Sequence, residues 1–176
     1  MPSKIMVDAY VLRSLIRRCS YDEHLTPIAM QACFEELLYR DLHGVSRATI
    51  GAMPEAIQKY MERFTATNMV DAVIIPHLNS DSVRWLSTDH LRRLNLMMEE
   101  MLDYKPFPIL SVHDEFKCHP NNMNVLRQQY INLFAEMADS EILSDIFSQI
   151  MGVQGTYKKM SHDLSQKIRQ SNYALS

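Results

Sequence analysis

"PFPILSVHDEFKCHPNN", residues 106–122, begins as an apolar, β-branched run and ends abruptly in polar residues. Pro106 and Pro108 forbid helix, and "ILSVH" is the best strand in the chain. "EFKC" reads as its return strand, which predicts a tight hairpin with His113 and Asp114 at the tip. A carboxylate at the end of a buried strand is costly unless something cationic meets it there. Mg²⁺ suits such a position, because it prefers carboxylate oxygens and keeps several waters. Side chains alternate along a strand, so Asp114 and Glu115 are expected on opposite faces and do not chelate one ion together. On these three residues alone, a turn-capping aspartate is the simpler reading.

Working outward, the pattern is helical. "VDAYVLRSLIRRC" spaces Val7, Val11, Leu12 and Leu15 for a helix face, with Arg13, Arg17 and Arg18 around the other side. A second helix is expected from an N-cap at Thr26 and a first-turn Pro27 to Gly44, and a third from Pro54. "VDAVIIPHLNSDS" fits either a short strand or an apolar loop. Ser87 or Thr88 caps a long helix with an apolar stripe of Leu91, Leu94, Met98, Met101 and Leu102. After the hairpin, Asn121 or Asn122 caps a further helix, "EILSDIFSQIMG" forms a short one, and "DLSQKIRQ" the last. The fold class expected is α+β, predominantly helical, with helices packed around one hairpin.

The chain has 176 residues, 47% of them hydrophobic, which suits one module with a packed core. A net charge of −3 excludes a surface that is basic throughout, so any nucleic-acid contact is local. Arg13, Arg17, Arg18, Arg92 and Arg93 are the candidates for phosphates, against the commoner role of solvated or ion-paired surface. Three dispersed cysteines give neither a disulfide framework nor a zinc site, and reduced thiols in cytoplasm are the simplest reading. No apolar run is long enough to cross a bilayer, so no membrane partner is expected. Four glycines imply long helices with few tight turns, and thirteen methionines imply adaptable packing within a core or against a partner.

A longer stretch changes the balance at Asp114. "SVHDEFKCHPNNMNVLRQQYINLFAEMADSEILSDIFSQI" resembles the motif C region of single-subunit, bacteriophage and mitochondrial-type RNA polymerases, with Val112, His113, Asp114, Phe116, His119, Pro120, Ile142, Leu143 and Asp145 in register. "SNYALS" at the end is similar to that family's small-aromatic tail, and "DAYVLRS" to the D-x-x-x-L-R helix that precedes motif C. Ile5 and Met6 stand where the family has a His-Ser pair, so the resemblance carries no minor-groove histidine to this chain. It covers residues 7–15, 107–150 and the tail. Residues 1–19 then form the preceding helix, 20–105 a helical insertion, 106–120 the catalytic hairpin, and 121–176 the C-terminal helices and tail.

The resemblance implies that Asp114 binds both catalytic Mg²⁺ ions during nucleotidyl transfer from ribonucleoside triphosphates, on a DNA template with an RNA product. It implies that His113 positions the hairpin against the 3′ end and that Tyr173 packs near the active centre. It also implies the cytoplasm of a phage-infected bacterium. The first catalytic aspartate of motif A and the R-x-x-x-K helix of motif B, followed by Tyr-Gly, are absent from the sequence. The expectation is therefore a C-terminal palm segment, inactive alone, whose partner is the polypeptide carrying motifs A and B. Two other readings stay open: a family A DNA polymerase palm, and a non-catalytic helical interaction protein.

Overall fold

A computed structural model of the chain describes residues 2–112, 115–153, 159, 161 and 163–171, without the side chains of residues 2–6. His113, Asp114 and Tyr173 lie outside the described residues, as does most of the polar stretch after Gly152. The described chain is predominantly helical, with one small antiparallel sheet. Seven α-helices occur among the described residues: α1 (Pro2–Cys19), α2 (Leu25–His43), α3 (Glu55–Thr67), α4 (Thr88–Leu102), α5 (Met123–Asp139), α6 (Ile142–Met151) and α7 (Leu164–Gln170). The strands are β1 (Leu110–Val112) and β2 (Glu115–Lys117). No described helix is long and apolar enough to cross a membrane.

The chain divides into two compact units. One contains residues 20–62 and 70–106 and packs α2 against α4, with 3₁₀ turns at Ala72–His77 and Ser82–Trp85 alongside α2. The stripe on α4 is buried through Leu91, Leu94, Met98 and Met101, joined by Met97, so these methionines are core. Ser87 Oγ accepts from the His90 amide at 3.2 Å and caps α4 as expected. Gly44 ends α2 at φ 71°, donating its N–H to the Arg40 carbonyl.

The start of α2 differs from the expectation. Thr26 is buried inside the helix, while Asp22 Oδ1 takes the amides of His24 and Leu25 at 2.8 and 2.9 Å. Those two hydrogen bonds hold the Asp22 carboxyl below its ordinary pKa. "VDAVIIPHL" is neither strand nor open loop. Asp71 caps its 3₁₀ turn by accepting from the Val73 amide at 3.0 Å, and Ile74 and Ile75 are buried.

Two polar groups sit deep in this unit. Glu36 accepts from Arg40 Nε at 2.8 Å, Ser46 Oγ at 2.9 Å and the Arg47 amide at 3.2 Å. Burial raises the Glu36 pKa, but the bonds from Arg40, Ser46 and Arg47 outweigh it and the net shift is downward. His90, fully buried on α4, lies 2.9 Å from the Tyr60 hydroxyl of α3.

The other unit comprises residues 1–19, 63–69 and 107–176, and packs α5 against both α1 and α7. Arg18, 1% exposed at the end of α1, makes a bidentate pair with Glu136 of α5, with Nη1 donating to Oε1 at 2.8 Å. This pair replaces the phosphate contact considered for Arg18: its guanidinium is inside the fold and already forked on a carboxylate. Gly152 ends α6 at φ 65°.

Two outcomes follow from the buried charges. Glu136→Gln strips Arg18 of its counter-charge and should lower stability in urea by about 3 kcal/mol, whereas a change within 0.5 kcal/mol would show the pair to be incidental. Burial, with Arg93 nearby, depresses the His90 pKa from 6.5 to about 4, so the unfolded chain takes up a proton there before the folded one does. Stability should therefore fall between pH 6.5 and 4, by about 3 kcal/mol from this group, and His90→Asn should flatten that slope. An unchanged slope in the variant would remove His90 from the account.

Candidate functional site

The hairpin is anchored before it begins. Pro106 and Pro108 offer no amide hydrogens, and Phe107 between them donates its N–H to the Cys19 carbonyl at 2.7 Å while burying its ring. The chain then enters β1. Its register with β2 is Leu110↔Lys117, Ser111↔Phe116 and Val112↔Glu115. Positions 113 and 114, between the paired residues Val112 and Glu115, lie outside the described residues.

Directly paired residues of an antiparallel ladder share a face. Phe116 turns to α5, its ring 5.8 Å from that of Tyr130, which is in turn 4.6 Å from Phe134. The opposite face carries Leu110, Val112, Glu115 and Lys117. Leu110 is 69% and Val112 49% exposed, and Glu115 meets Lys117 Nζ at 2.9 Å. The apolar strand is therefore not buried, contrary to the reading of its composition: one face packs on α5, and the apolar residues are on the other.

Asp114, His113 and Tyr173, the sequence-based candidates for catalysis, metal binding and the active-centre tail, lie outside the described residues. Around the hairpin, Cys118 Sγ is 3.6 Å from Met123 Sδ, and His119 Nδ1 accepts from the Asn121 amide at 3.3 Å to open the turn into α5. His119 is a cap. Among the described residues no three His, Cys, Asp or Glu side chains gather as a metal site. The described part of the chain thus brings no cluster of further ligands to the hairpin.

The remaining basic candidates separate. Arg13 is exposed on α1 and its Nε donates to the Ala9 carbonyl at 3.1 Å. Arg17 is half-buried. Arg92 reaches Asp41 at 3.6 Å on the surface. Sequence reading missed Arg63, whose guanidinium lies 5.0 Å over the Tyr10 ring, since fifty-odd residues separate the two and no spacing connects them.

No protein-family model matches the chain, and no curated protein sequence matches it.

The Phe116–Tyr130 contact is the testable support of the hairpin. Phe116→Ala should speed amide exchange in β1 and β2 about ten-fold or more while leaving the centre of α5 protected, as expected when a small sheet loses its one packed face. Equal protection in the variant would show that the ladder holds itself.

Proposed function

We propose that this chain is a C-terminal palm segment of a single-subunit-type DNA-dependent RNA polymerase, contributing the motif C aspartate, Asp114. The observation that carries the reading is the ladder from Leu110↔Lys117 to Val112↔Glu115, which brackets the two motif positions between short antiparallel strands. The gap-free sequence resemblance on both sides of it gives the reading its family.

Asp114 would hold Mg²⁺, with His113 beside it set against the 3′ end of the growing strand. Bound there, the metal supplies charge neutralisation at the transferring phosphoryl group. Side chains converging from another polypeptide complete the donor set, in keeping with the lack of motifs A and B in this sequence. The outward face of the hairpin supports such a partner, because Leu110 and Val112 remain exposed on this chain. So does α6, where Leu143, Phe147 and Ile150 line an exposed apolar face while Ile142 and Ile146 are buried. Template, RNA product and ribonucleoside triphosphates are the ligands of the assembled enzyme.

The experiment combines the chain with a polypeptide bearing motifs A and B. The two should elute together in size-exclusion chromatography and incorporate ribonucleotides in preference to deoxyribonucleotides. Asp114→Asn should keep the association and lower incorporation by about a thousand-fold. Full transcription by the variant assembly would end the catalytic assignment and leave a helical interaction protein, and preference for deoxyribonucleotides would make it a DNA polymerase palm.

A further inference from the structure

Within the unit that carries the hairpin, α1, the last turn of α3 and α6 enclose a groove of about 400 Å³. That volume suits one small ligand. Its walls differ in chemistry. Arg13 of α1 and Arg63 of α3 are basic, Asp145 and Gln149 of α6 supply oxygens, and Val7, Ile142 and Ile146 add apolar surface.

Among the described residues, neither arginine is paired with a carboxylate. Arg13 uses Nε on the Ala9 carbonyl, and Arg63 is stacked on Tyr10. Stacking fixes the plane of a guanidinium and leaves its edge donors free, the arrangement that suits a planar fork to an anion. From α6, Asp145 accepts from Gln149 Nε2 at 2.8 Å, which ties the two side chains together and leaves the remaining carboxylate and amide oxygens as acceptors. The groove is also braced where α3 hands over to α6, for the Glu141 amide donates to the Thr67 carbonyl at 2.7 Å.

We propose that this groove binds a phosphate ester with a hydroxylated body the size of one nucleotide. Two guanidiniums match the several oxygens of a phosphate, where one would satisfy a carboxylate. The oxygens of Asp145 and Gln149 accept from hydroxyl groups, and the apolar residues receive a ring face. The Asp145 carboxylate disfavours a longer polyphosphate by like-charge repulsion. The site uses neither His113 nor Asp114, so it stands or falls independently of the polymerase reading. Its ligand is either a free nucleotide or one unit of a strand; the chemistry is shared.

The test titrates the full chain with adenosine 5′-monophosphate, by calorimetry and by amide chemical shifts. Shifts should concentrate in residues 7–13, 63–67 and 142–149. Arg13→Gln and Arg63→Gln should each weaken binding about ten-fold, as expected for loss of one charge-assisted contact, and Arg63→Lys should weaken it less. Both arginines are exposed, so the variants should keep the parent circular dichroism spectrum. Adenosine should not compete. A uridine hexanucleotide that competes better than the mononucleotide assigns the site to a strand, and one that competes worse assigns it to a free nucleotide. Absence of binding at millimolar concentration, adenosine binding as tightly as its phosphate, or glutamine variants that bind like the parent would each overturn the proposal.

Discussion

The buried guanidinium of Arg18 is the constraint on which the hairpin-bearing unit depends. A charge so enclosed is tolerated only with its counter-ion and hydrogen bonds in place, and Glu136 provides both through two parallel contacts. The pair ties the end of α1 to α5, and both anchors of the hairpin hang from those two helices. Cys19, next to Arg18, receives the Phe107 amide, and Tyr130 of α5 receives the Phe116 ring. A two-stranded ribbon of three residues a side has little stability of its own. Its geometry comes from this frame.

The frame also explains which residues are left outside. Phe116 turns its ring to Tyr130 of α5, and the apolar positions Leu110 and Val112, which are not paired with it, alternate onto the opposite, exposed face. Apolar side chains left exposed on a sheet face invite another surface. A segment that completes its site only with a second polypeptide has use for such a face, and this supports the proposed partner without identifying it.

Local chemistry made much of the helical layout legible. Gly44 and Gly152 mark helix ends because the left-handed turn there favours glycine, Ser87 marks a start, and the stripe on α4 follows from 3.6-residue spacing. The two strands were legible because Pro106, Pro108 and the β-branched residues that follow disfavour helix, while His113 and Asp114 between them lie outside the described residues. Harder to read were features settled by distant partners. Thr26 and Asp22 are both good caps by type, and only the burial of Thr26 decides between them. Ile74 and Ile75 fit a strand by propensity, yet Asp71 and Pro76 shape a 3₁₀ turn packed along α2. Arg18 and Arg13 look alike in sequence, but one is forked on Glu136 and the other faces a groove with Arg63. Exposure of β1 could not be inferred from its composition, since β-branched residues suit either a core or an interface.

The central proposal is that Asp114, between the paired residues Val112 and Glu115, binds a divalent cation. The most direct measurement is a Mn²⁺ titration of the isotopically labelled chain, following paramagnetic broadening of its amide signals. The account predicts that the Val112 and Glu115 amides broaden first, that Asp114→Asn abolishes this, and that Glu115→Gln, which removes the partner of Lys117, leaves it in place. Broadening centred elsewhere, or unaltered by Asp114→Asn, would contradict it.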